Sequence, residues 1–246
     1  MMEEGFEILY EDEYLVAINK PPGILVHRTR LSEDTVFVLQ LLRDQLGGTH
    51  IYPTHRLDRA TSGVLVFAKS PEIASWLGIQ LMDFKWEKQY LAVVRGHFKE
   101  REGTIDYPLT DPETGKHEPQ EAQTRYKWIG ESEQPWAIGL RYATARFSLM
   151  EIYPETGRRQ QIRKHFAHLR HPIINDTRHG DVKINKWFRE NGKKGRIMLH
   201  AVRLQLPHPK LEKSLLLVAQ PNTDFLDLLA EMDLLTAFDV WKSHPR

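Results

Sequence analysis

His55-Arg56-Leu57-Asp58-Arg59-Ala60-Thr61-Ser62-Gly63 runs directly into Val64-Leu65-Val66-Phe67-Ala68, a continuous apolar segment. A short apolar run of this kind behind a turn reads as a strand buried on both faces. Ser62-Gly63 marks a tight reversal at its entrance, since glycine reaches backbone angles closed to other residues. Asp58 therefore sits between two arginines on a loop held against the core. Either it caps backbone N–H groups while Arg56 and Arg59 form solvated ion pairs, or it is a reactive carboxylate. In the second case arginine keeps it ionised, because a nearby opposite charge lowers a carboxyl pKa by about 1–3 units.

Upstream, Ile8–Tyr10 and Tyr14–Ile18 read as short strands around the acidic turn Glu11-Asp12-Glu13. Asn19-Lys20-Pro21-Pro22-Gly23 follows as a rigid turn of architectural character. A helix capped by Ser32 or Asp34 is expected to run to about Leu46 and end at Gly47-Gly48. Downstream, Ser70-Pro71-Glu72 supplies a cap, an N1 proline and a first-turn acid for a second helix striped by Ile73, Leu77, Leu81 and Phe84.

Lys88–Gly96 reads as a strand, in which Tyr90 is either packing or substrate-facing. Ala122–Trp128 and Arg146–Ile152 alternate with period two and suggest an antiparallel meander. Between the meander and the strand lies a polar segment whose clearest loop is Asp111–Gly115. Arg158–His171 contains no acid, and Ile162, Phe166 and Leu169 share one helical face. Such a helix docks one side and offers cations elsewhere, the pattern that suits phosphates. From Asn175 to Lys194, basic residues interleave with Trp187 and Phe188 on what reads as a loop, where the rings either stack on bases or anchor the loop to the core. Leu199–Leu204 and Leu215–Ala219 are further strands, and a final helix is expected over about Thr223–Phe238.

The 246 residues can bury a sizeable core, and 41% apolar with 27% charged residues is a globular composition. No apolar stretch approaches the roughly 20 residues of a membrane span. The acidic start does not resemble a secretory signal, so the cytoplasm is the expected compartment. The absence of cysteine excludes disulfides, thiolate nucleophiles and cysteine-ligated metals. A net charge of +1 argues against an indiscriminate polyanion binder while leaving room for a local basic face.

His-Arg-Leu-Asp-x-x-Thr-Ser-Gly resembles the catalytic motif of RluA-type pseudouridine synthases, which isomerise uridine to pseudouridine in structured RNA. Asn19–Gly23 is similar to the family's first motif. Lys88, Tyr90, Ala92, Val94 and Gly96 match its Lys-x-Tyr-x-Ala-x-Val-x-Gly strand, where the tyrosine lies against the target base. Gly157–Arg163 matches Gly-Arg-x-His-Gln-Ile-Arg except that Gln160 replaces the histidine. The resemblance implies an α+β fold with a mixed, mainly antiparallel sheet in two halves around a central cleft, and Asp58 on its floor. It implies Asp58 as the catalytic aspartate, Arg163 as its ion-pair partner, and Tyr90 across the base as the group that takes or relays the C5 proton. Arg56 is expected to fill the space the flipped uridine leaves, and Leu199 of Leu-His-Ala to border the uracil pocket. Arg158, Ile162, Lys193 and Lys194 complete the expected substrate and RNA contacts.

Isomerisation adds no group and changes no oxidation state, so neither cofactor nor metal is expected. The chain is expected to form one catalytic domain over residues 1–246, monomeric, with no S4-type RNA-binding module ahead of the first strand. Its short start and the stretch His168–Asp181 most resemble the branch of the family that modifies uridine 65 of tRNA. Large-subunit ribosomal RNA is the alternative target.

Three rivals are weaker. His165, His168 and His171 suggest zinc, but they sit among arginines that oppose a divalent cation. A glycoside hydrolase normally needs two carboxylates flanking the bond, and only Asp58 lies in a suitable motif. A non-catalytic RNA-binding protein explains the basic face but gives no reason for a carboxylate beside it.

Overall fold

The structure, a computed structural model, describes residues 5–28, 34–138, 142–193 and 195–243. In chain order its elements begin with β1 (Ile8–Glu11), β2 (Leu15–Lys20), α1 (Val38–Gln45), β3 (Tyr52–Pro53), β4 (Ser62–Ala68) and α2 (Pro71–Met82). They continue with β5 (Glu87–Arg95), β6 (Glu102–Asp106), β7 (Leu109–Asp111), β8 (Lys116–Gln120), β9 (Gln123–Gln134) and β10 (Ala145–Pro154). The last are α3 (Gln161–His168), α4 (Val182–Glu190), β11 (Leu199–Pro207), β12 (Ser214–Val218), α5 (Thr223–Glu231) and α6 (Leu235–Ser243). The class is α+β with mainly antiparallel strands, as expected; no helix among the described residues is long and apolar enough to cross a membrane. The chain packs as two compact units, Met1–Lys88 with His200–Pro221, and Gln89–Leu199 with Asn222–Arg246.

In the first unit β4 is central, and every one of its residues is buried. β2 pairs with it antiparallel from Leu15↔Ala68 to Lys20↔Gly63, while β11 joins it in parallel at His200↔Ser62 and Ala201↔Gly63. Leu15, Ala17, Val64, Val66 and Ala68 pack with Leu77 of α2, Trp86 and Leu204. The opposite-parity residues Val16, Ile18, Leu65 and Phe67 are fully buried as well, so the sheet is covered on both faces. That is why β4 reads as a continuous apolar run rather than an alternating one.

In the second unit β10 pairs antiparallel with both β5 and β9, and β6 pairs with β9. Tyr90, Ile152 and Tyr126 lie opposite one another in the ladder and share a face. Phe166 of α3 packs on that face, 6.0 Å from the Tyr126 ring and 6.0 Å from Phe98. The other face carries Glu151, which accepts from Trp241 Nε1 of α6 at 2.8 Å.

Several expectations are corrected. The first helix begins at Val38 with Phe37 as its cap and no side-chain capping bond; Ser32 lies outside the described residues. The cationic segment before Lys194 is not a loop but α4, because Asp181 accepts from Lys183 N and Ile184 N while Ile184 and Phe188 form a buried i, i+4 pair. Phe188 is core and Trp187 stacks on Trp136 at 5.1 Å, so both rings anchor the segment. The final helix is two, broken where Asp233 takes a left-handed φ of 56°. Ser70 does cap α2, accepting from Ile73 N at 3.3 Å.

Candidate active site

The loop bearing Asp58 is built by the first motif. Lys20 is wholly buried at the end of β2, and its Nζ donates to the carbonyls of Pro21 at 2.9 Å, Arg59 at 3.2 Å and Thr61 at 2.8 Å. A buried ammonium demands such partners, so its charge gathers the backbone on the C-terminal side of Asp58. Gly23 N also donates to Arg59 O at 2.7 Å, and Arg59 Nε returns a bond to Gly23 O at 3.1 Å. Thr61 N donates to the Asp58 carbonyl at 3.1 Å, closing the turn. Within it Leu57 is buried, Asp58 half-buried, and Arg56 and Arg59 exposed; Arg59 pairs with Asp34 at 3.1 Å.

The flanks of this loop are fixed just as firmly. Gly63 has φ 115°, and a Cβ there would stand 2.2 Å from the Ala201 carbonyl oxygen. Only glycine fits the parallel contact with β11. Ser62 Oγ meets His200 Nδ1 at 2.8 Å, and His200 Nε2 meets Ala219 O at 3.0 Å. Because the Ala219 carbonyl can only accept, His200 carries its proton on Nε2, and Nδ1 accepts a hydrogen bond from the Ser62 hydroxyl. Burial lowers its pKa to about 4. His55, at the head of the motif, is lowered to about 3 by burial and by Lys88, and accepts from Val66 N at 3.1 Å. Both histidines are neutral structural groups near neutral pH.

In the second unit α3 carries Arg163. Its Nε and Nη2 bind Asp176 in a fork at 2.8 and 2.7 Å, with both side chains almost wholly buried. Burial by itself pushes the Asp176 carboxyl up, but the guanidinium and the N–H groups of His179 and Arg178 overcome it and hold the group below its usual range. Gln161, also buried, ties α3 to β9 by donating to Gln123 O at 2.8 Å and Thr124 Oγ1 at 3.0 Å. Ile162 and Leu199 are buried, and Tyr90 is half-buried on the sheet face that α3 covers.

Some of the cations expected to face RNA have protein partners. Arg158 is exposed and its Nε donates to Glu121 O at 2.9 Å. Arg159 pairs with Asp111 at 3.0 Å and Glu113 at 2.7 Å, acids contributed by the β7–β8 turn. Lys193 pairs with Glu231 at 2.9 Å and lies 5.2 Å from the Trp136 ring centre; on α4 Lys183, Lys186 and Arg189 are exposed, with Lys186 3.8 Å from Glu190. Lys194 lies outside the described residues. His165 uses both ring nitrogens, on Thr124 Oγ1 and Tyr107 O, and His171 bonds Arg95 O.

Residues 14–168 match the family model described as RNA pseudouridylate synthase. The chain belongs to the RNA pseudouridylate synthase family. The synthase is 47% identical over 236 residues to tRNA pseudouridine synthase C of Vibrio parahaemolyticus, covering 92% of this chain and 95% of that protein. It is 45% identical over 236 residues to the protein of the same name from Pasteurella multocida, covering 92% and 96%. Among solved structures it is similar to human RNA Pseudouridylate Synthase Domain Containing 4, with a TM-score of 0.72 and 26% identity over 92% of this chain and 93% of that one. The synthase is thus an isomerase that acts on RNA.

In the sequence Asp176 is one of several acids in a basic segment, and Lys20 stands within a turn motif. Lys20 carried a usable signal, a lysine ending an apolar strand. Asp176 carried a fainter one in Asn175-Asp176 directly after the apolar pair Ile173-Ile174, a place where a carboxylate becomes buried.

Proposed function

We propose that this synthase converts a uridine of tRNA, uridine 65, to pseudouridine, with Asp58, Tyr90 and Arg163 as its catalytic residues. The observation that carries the substrate is the 45–47% identity, over nearly the whole chain, to proteins named tRNA pseudouridine synthase C. The residue roles follow from the motif positions these residues occupy. The two units are taken as one catalytic domain working as a monomer in the cytoplasm.

The target uridine leaves its stack, at a cost of a few kcal/mol, and Arg56 fills the space. Asp58 then breaks the C1′–N1 bond, by attack on the sugar or by assisting elimination. Uracil turns, C5 bonds to C1′, and the C5 proton leaves while N1 ends protonated, so atoms and electrons balance without an added reagent. Tyr90 takes or relays that proton. Arg163 keeps Asp58 ionised and aimed, with Ile162 and Leu199 at the base. Arg158, Lys193 and the α4 cations engage phosphates.

The test is pseudouridine mapping of total RNA from cells with and without the protein. Loss of the modification at uridine 65 of tRNA alone supports the assignment; loss confined to ribosomal RNA refutes it.

A further inference from the structure

We propose that His179 and Gln160 are a positioning pair that sets the aim of the Arg163 guanidinium. The proposal rests on the catalytic assignment of Arg163 above.

Arg163 and Asp176 belong to different segments, the helix α3 and the loop that precedes α4, and their fork is one tether between them. A second tether lies at the start of the helix, where His179 Nε2 donates to Gln160 Oε1 at 2.8 Å. Between the tethers, His179 N donates to Asp176 Oδ1 at 3.0 Å. The contacts therefore close a ring. It runs from Gln160 along the helix to Arg163, through the guanidinium to Asp176, along the loop to His179, and through the imidazole back to Gln160. In a closed ring of hydrogen bonds that is buried at the Arg163–Asp176 fork and half-buried at His179 and Gln160, a shift at one member displaces the others.

Two further observations give the ring its direction. Gln160 holds a left-handed φ of 55°, a conformation side-chain-bearing residues rarely adopt, immediately before the helix. Its bond to His179 supports that conformation. The rest of the loop is secured without the imidazole: Asn185 Nδ2 and Gly180 N both donate to Asp176 O, at 2.7 and 3.0 Å. The imidazole is thus an adjuster of an already folded loop. Burial, helped by Arg163, Arg178 and Lys164 against Asp176, keeps it neutral, so it donates through Nε2 without placing another cation beside the guanidinium. Gln160 is also the position at which the third motif departs from its family pattern.

The experiment measures single-turnover pseudouridine formation at saturating enzyme, and RNA affinity by filter binding, using full-length protein and a tRNA transcript that the wild type modifies. The variants are His179→Phe, His179→Gln, Gln160→Ala and the double variant His179→Phe/Gln160→Ala, with Asp58→Asn as the control. His179→Phe keeps a ring without an N–H and should slow turnover by about tenfold, with affinity and melting temperature nearly unchanged. His179→Gln restores an N–H and should recover most of the rate. Gln160→Ala should match His179→Phe, and the double variant should be no slower than either, the mark of one shared interaction. Should His179→Phe fail to fold, Gln160→Ala and the recovery by His179→Gln decide the matter. Wild-type turnover in His179→Phe, additive losses in the double variant, or a loss of affinity in place of rate overturns the pair. Where one of those results appears while Asp58→Asn is inactive, the pair falls and the catalytic assignment stands; if Asp58→Asn turns over, the catalytic assignment falls and the pair with it.

Discussion

Lys20 Nζ donates to the Thr61 carbonyl oxygen at 2.8 Å, joining residues 41 apart in sequence. Lys20→Met keeps the apolar stem but takes the ammonium donor from the carbonyls of Pro21, Arg59 and Thr61, of which Arg59 O retains its bond from Gly23 N. Unmade buried hydrogen bonds cost about 1–3 kcal/mol each, so urea unfolding should show a loss of about 2–4 kcal/mol. Turnover should fall as well, because the same carbonyls shape the Asp58 loop. A variant with wild-type stability would show that the ammonium is not their essential partner.

Gly63→Ala places a methyl 2.2 Å from the Ala201 carbonyl oxygen at a φ of 115°. Strain of that kind costs about 1–3 kcal/mol before any displacement of β11 is counted. The urea midpoint should drop accordingly, whereas Gly47→Ala, where nothing lies within 4 Å of an added Cβ, should lose less.

Asp58→Asn keeps the side-chain volume and removes the carboxylate charge on which the proposed chemistry rests. Pseudouridine formation should be abolished while RNA affinity stays within about twofold, since phosphate contacts dominate affinity. Tyr90→Phe should still stack on the base yet turn over slowly; a normal rate would take the phenol out of proton transfer.

His55 and His200 have folded-state pKa values of about 3 and about 4, both below the ordinary 6.5. The unfolded chain therefore binds more protons between pH 6.5 and those values, and stability is full above pH 6.5 and declines as the pH falls. Each histidine contributes a slope of up to about 1.4 kcal/mol per pH unit in that window. Unfolding free energies at pH 7, 6 and 5 check the sign, and stability that rose on acidification would contradict it.

Charge reversal separates two kinds of lysine. Lys183→Glu changes an exposed side chain on α4 and should weaken RNA binding and reduce the slope of log affinity against log salt by about 1. Lys193→Glu should weaken binding and also lower stability, because the new carboxylate faces Glu231. An unchanged salt slope in the first variant would move the RNA off α4.

The strands were legible where one physical demand ruled. β4 shows its double burial as an unbroken apolar run and β9 its one buried face as alternation, whereas the alternation of β10 hides that Phe147 to Ile152 are buried throughout, Ser148 and Glu151 included. α4 was hidden because its apolar anchors Ile184, Trp187 and Phe188 are separated by charged or polar residues. The motifs marked Asp58, Tyr90 and Arg163 as candidates, but no local pattern shows that Arg163 binds Asp176, 13 residues on. Nor does it show that acids from the β7–β8 turn reach Arg159. Long-range pairing is a property of the fold, and sequence periodicity does not encode it.

The parallel contact of Ser62 and Gly63 with His200 and Ala201 has a consequence for biosynthesis. A chain emerging from the ribosome displays the Asp58 loop long before the strand that backs it exists, and the Ser62 hydroxyl waits 138 residues for its imidazole. Pairings this distant form late. A nascent chain that stops short of His200 thus carries Asp58 on a loop without the strand and the imidazole that back it.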